Sequence, residues 1–88
     1  MTKDEIKTIC EKRFLELDAD KIELQPSGEC WTLNGNFFKV IFLQNWWVLE
    51  WTDNRSYASN YGFEDVDLMA YDISEAEVIE QVNSLLLK

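Results

Sequence analysis

The run Phe37 to Thr52 (FFKVIFL, then QN, then WWVLEWT) constrains this chain most. Both halves are β-branched and aromatic, which suits extended backbone. The intervening Gln44-Asn45 reads as a two-residue turn. Along Phe37–Gln44 both alternating faces are largely apolar, with Lys39 the main charged residue. A strand of that kind belongs inside a sheet covered on both sides. In the second half, Trp47, Leu49 and Trp51 fall on one face; Trp46, Val48, Glu50 and Thr52 fall on the other. Neighbouring Trp46 and Trp47 therefore cannot enter the same core layer.

The flanks supply the rest of a small α+β domain. Thr2 stands three residues before Glu5, the spacing of a capping box, with Met1 and Ile6 at staple positions. Ile6, Ile9, Cys10, Phe14 and Leu17 recur at helical spacing, predicting a first helix over about 3–17. After a DADK turn, Ile22–Gln25 reads as a short strand broken at Pro26-Ser27-Gly28. Glu29–Leu33 resumes it, and Asn34-Gly35 signals a tight hairpin. Arg55–Tyr61 reads as a short helix or irregular turn with Gly62 as a left-handed stop. Leu68–Tyr71 fits an edge strand. Ser74 and Glu77 repeat the capping box, Ile73 and Val78 repeat the staple, and the last helix is expected over about 75–87. The expectation is one domain over residues 1–88: N-terminal helix, three- to four-stranded antiparallel meander, irregular or short helical segment, C-terminal helix. A chain of 88 residues buries only about 60–65% of its unfolded surface, and 47% hydrophobic content with 12 aromatic residues can fill that core.

Charge narrows the function. Seventeen acidic side chains against 8 basic ones give a net −9, the wrong sign for gripping a phosphate backbone. Residues 1–44 carry 6 basic and 8 acidic side chains, a net of −2; residues 45–88 carry 2 and 9, a net of −7. Ser56 to Leu87 contains no lysine or arginine but holds Glu64, Asp65, Asp67, Asp72, Glu75, Glu77 and Glu80. Solubility and helix-dipole complementarity account for part of this, because Glu75 and Glu77 open a helix. A surface for a basic partner is the functional alternative. Glu64, Asp65 and Asp67 lack the register of a calcium loop, and the chain is short for two carboxylates that flank and enclose a sugar.

The chain contains no histidine, so the commonest general base and metal ligand are missing. No nucleophile elbow, phosphate loop, dinucleotide fingerprint or C-x-x-C is present. We therefore expect a binding protein, not an enzyme, with no cofactor, no metal, no nucleic acid and no membrane partner. Cys10 and Cys30 read as reduced, buried thiols, which, without a signal-like leader, points to the cytoplasm.

The stretch from Phe37 onward resembles small cytosolic immunity proteins of bacterial polymorphic toxin systems. The likeness covers residues 37–87: an aromatic strand, the tyrosine-bearing RSYASNY, then NYGFEDVDL, then a polar-capped helix. It implies a protein that neutralises a cognate toxin by tight complex formation. Charge and aromatic content make Glu64, Asp65, Asp67 and Asp72 the electrostatic contacts, and Trp46, Tyr57 and Tyr61 the packing anchors, on a monomer or weak homodimer. The alternative is a phage-encoded inhibitor or nucleic-acid mimic, anti-CRISPR-like, that blocks a basic nucleic-acid site with the same acids.

Overall fold

A computed structural model describes residues 2–43, 46–69 and 72–87; of Lys3, Trp46 and residues 65–68 it describes the backbone. The expected turn at Gln44-Asn45, the Met1 staple and the end of the expected edge strand at Ala70-Tyr71 lie outside the described residues. The order is α1 (Lys3–Glu16), β1 (Asp20–Leu24), β2 (Gly28–Leu33), β3 (Asn36–Leu43), β4 (Trp46–Thr52), α2 (Arg55–Ser59), β5 (Glu64–Met69) and α3 (Glu75–Leu86). The α+β architecture is the expected one. The meander runs β1-β2-β3-β4-β5, every neighbouring pair antiparallel, and β5 extends it to a fifth strand.

Local chemistry sets these boundaries. Thr2 caps α1 by accepting from the Glu5 N–H, and Ser74 closes a reciprocal capping box with Glu77 on α3. At its other end α1 stops in a Schellman motif: the Ala19 N–H donates to Phe14 O and the Asp18 N–H to Leu15 O, both at 3.0 Å. Asp18, at φ 64°, holds the left-handed position that glycine usually takes. Asn34 and Gly35, at φ 49° and 81°, make the two-residue turn between β2 and β3.

Two apolar layers sandwich the sheet. On one face α1 and α3 bury Ile6, Cys10, Phe14, Val78, Val82, Leu85 and Leu86 against Trp31, Phe38, Trp47, Leu49 and Met69. Phe14 is the hub, with its ring 4.8 Å from Phe38 and 5.4 Å from Trp31. The two helices run parallel. Asp4, Glu5 and Thr8 share a surface depression with Glu75, while one turn from its end Arg13 Nε donates to Asn83 Oδ1 at 2.8 Å. The opposite face carries a smaller cluster, Leu24, Cys30, Phe37 and Ala58, with Ile22 and Phe63 against it. The apolar second face of β3 is thus covered in part by α2 of the same chain.

Candidate functional site

The segment joining β4 to β5 carries the exposed aromatics. Asn54 caps α2, its side-chain oxygen accepting from the Tyr57 N–H at 3.1 Å, and Ala58 points inward, fully buried. With Ala58 anchored, Tyr57 faces outward, 60% exposed. The helix ends after Ser59, and Tyr61 itself takes the left-handed conformation at φ 62°. This corrects the expected left-handed stop at Gly62. The need at Gly62 is for close approach: its N–H donates to Tyr57 O at 2.6 Å, and an added Cβ would lie 2.9 Å from Tyr57 Cβ. Tyr57 and Tyr61 therefore do not share a helical face, since the helix ends after Ser59 and Tyr61 is itself left-handed.

Tyr61 is 66% exposed, yet its hydroxyl donates to Pro26 O at 2.7 Å. The Ser27 N–H donates to Ser59 O at 3.1 Å beside it. These two bonds dock the tyrosine segment on the β1–β2 turn, so both rings are presented from a fixed backbone. Glu64 follows immediately at the head of β5, exposed. Asp72 is exposed as well, but beyond the far end of β5, which spans roughly 17 Å at strand rise. The four acids are therefore strung along an edge strand and its exit, with Tyr57, Tyr61 and Glu64 at one end. Asp65 and Asp67 are placed by backbone within β5, opposite Glu50 and Leu49, across a register shift; their side chains lie outside the described residues. So does the Trp46 side chain, whose backbone stands opposite Leu43.

The other tryptophans belong to the fold. Trp31 and Trp47 are buried in the helix-side core, and Trp51 packs against it while its Nε1 donates to Asn36 Oδ1 at 3.0 Å. Glu75 and Glu77 sit in the first turn of α3, where the helix dipole favours them. That part of the acidity is local helix chemistry.

The second face also holds cations. Lys39 Nζ lies 4.6 Å above the Phe63 ring and 3.9 Å from a Glu50 carboxylate oxygen, and Arg55 lies 5.8 Å from the Phe37 ring. Burial pushes the Cys30 thiol up, with Lys39 and Arg55 pulling in the opposite direction; burial and Glu11 push Cys10 up to about 12. Among the described residues no group of three or more His, Cys, Asp or Glu is placed to hold a metal ion, and no helix is long and apolar enough to cross a membrane.

No family model matches the chain, and no curated protein or solved structure shows significant similarity to it. The site is accordingly defined by its own geometry: an α+β sandwich presenting two fixed tyrosines at the head of an acidic edge strand.

One feature was not legible in the sequence. β2 and β3 pair only at Leu33–Asn36, Thr32–Phe37 and Trp31–Phe38, although both strands continue beyond. Past that point the sheet opens into a cleft of about 250 Å³, lined by Lys7, Lys21, Glu29, Cys30, Lys39 and Val40 among others.

Proposed function

We propose that this chain acts by binding: it neutralises a basic partner protein, a cognate bacterial toxin, by seating it on Tyr57, Tyr61 and the acidic strand that begins at Glu64. The observation that carries the reading is the pair of tyrosines 60% and 66% exposed, held on a hydrogen-bonded segment next to that strand. Tyrosine supplies large contact area at small entropic cost, and a fixed backbone lowers that cost further. The surrounding negative charge would speed encounter with a basic protein and exclude acidic ones. The likeness of residues 37–87 to immunity proteins supports the same reading and the cytoplasm as its setting.

The test is co-expression with the product of the adjacent gene. Wild type should protect cells from it, and the complex should weaken as salt rises. Replacing Glu64, Asp65 and Asp67 with lysine should keep the fold and lose protection. If the triple variant protects as well as wild type, the acidic surface is not the contact. A neighbourhood of phage genes in place of a toxin gene would favour the nucleic-acid-mimic alternative.

A further inference from the structure

We propose that the split between β2 and β3 captures the C-terminal end of an extended peptide, its main chain pairing into the open sheet and its terminal carboxylate resting against Lys7, beside Lys21. The turn at Asn34-Gly35 makes Leu33 and Asn36 a pair that exchanges both main-chain hydrogen bonds. Alternation makes Trp31–Phe38 the next such pair and Glu29–Val40 the one after. That last pairing is missing, and both residues line the cleft. Their N–H and C=O groups thus face the gap as a template for an added strand. Since β2 and β3 are antiparallel, an inserted segment would run parallel to one and antiparallel to the other.

The closed apex limits what can enter. Trp31–Phe38 pairing seals the split, so a segment lying in the plane of the sheet must stop there. A chain end meets that condition and a continuous strand does not. Two of the charges reach this apex from the helix side. Lys21 stands opposite Trp31, with its ammonium 5.8 Å from that ring, and Lys7 reaches the cleft from α1, whereas Lys39, which follows Phe38, turns to the other face above Phe63. Lys21 is 3.3 Å from Glu29, and Lys39 is 3.9 Å from Glu50, whereas Lys7 makes no ion pair among the described residues. Lys21 and Lys39 are thus matched by Glu29 and Glu50, which leaves Lys7 as the ammonium of the lining without an ion pair among the described residues. A single added carboxylate would meet it there. A second would meet Glu11 and Glu29, so the cleft selects a chain end over an acidic tract.

The experiment uses the full chain, immobilised, and two hexapeptide libraries varied at the last three positions. One library ends in a free carboxylate and the other in an amide. The carboxylate library should be retained at least tenfold better, and the Glu29 and Val40 amides should gain protection from hydrogen exchange in its presence. Lys7 is exposed, so Lys7→Gln should keep the fold, checked by circular dichroism, and bind about tenfold more weakly, as expected for loss of one charge-assisted contact. Retention of neither library, or equal retention of both, overturns the proposal. So does inorganic phosphate alone reproducing the full response at Glu29 and Val40, which would make the cleft a simple anion site. Glu64→Lys with Asp72→Lys should leave peptide capture unchanged, which separates this result from any failure of the acidic surface.

Discussion

The hydroxyl of Tyr61 donates to the carbonyl oxygen of Pro26 at 2.7 Å, joining residues 35 apart in sequence. The bond makes Tyr61 both a surface aromatic and a fold contact, whereas the Tyr57 hydroxyl makes no hydrogen bond among the described residues. Truncating Tyr61 would therefore confound loss of a partner contact with loss of docking. Tyr61→Phe removes the hydroxyl and keeps the ring. It should cost about 0.5–1 kcal/mol of stability by urea unfolding, near the lower range for a solvent-accessible bond. Tyr57→Ala should move the urea midpoint by less and weaken partner binding more.

At Gly62 the space is already taken by Tyr57. A new Cβ would fall 3.0 Å from Tyr57 O and 3.1 Å from its Cα, and backbone atoms cannot swing aside as a flexible side chain can. Gly62→Ala should destabilise by about 1–3 kcal/mol, as overpacking does. Thermal unfolding checks this, and an unchanged midpoint would mean that the α2 turn relaxes freely.

Asp18 offers a change in the opposite direction. It occupies the left-handed residue of the α1 Schellman motif and is exposed. Asp18→Gly should stabilise the protein by about 0.5–1 kcal/mol, because glycine takes that conformation without steric cost. In a domain of this size the expected rise in Tm is about 2–8 °C.

Cys10 predicts a pH dependence. Folded, its thiol ionises near 12, against an ordinary 9.0, because burial and Glu11 disfavour the thiolate. The folded state holds that proton more tightly than the unfolded chain does. Its contribution to stability is therefore full below pH 9 and is lost as pH climbs from 9 toward 12. Urea midpoints at pH 8, 9.5 and 10.5 should fall in that order, and Cys10→Ala should flatten the part of the slope that this thiol supplies. Iodoacetamide should label Cys10 in urea and leave it unlabelled in the native protein at pH 8.

The elements legible in the sequence are those that local chemistry dictates. Thr2 and Ser74 announce their helices, Asn34-Gly35 announces its hairpin, and the apolar faces of Phe37–Thr52 announce a sheet covered on both sides. What covers the second face was not legible. Leu24, Cys30, Phe37, Ala58 and Phe63 come from five separate segments, and no periodicity links them. The extent of β5 was also obscured, because Glu64, Asp65 and Asp67 have poor strand propensity and earn their place at an edge, where charge deters pairing with other chains. Of the candidate site, the exposure of Tyr57 and Tyr61 follows from their polar neighbourhood. The hydrogen bond that fixes Tyr61 depends on Pro26, and nothing local to either residue signals it.

The sheet also separates the two sulfurs. Cys10 is buried in the layer under α1 and α3, and Cys30 in the opposite layer under α2. A disulfide needs the two side chains to point toward one another across a short gap. Here five hydrogen-bonded strands lie between the layers that hold them. The folded chain thus cannot join this pair to each other, and any internal crosslink between the two would report that the sheet had first come apart.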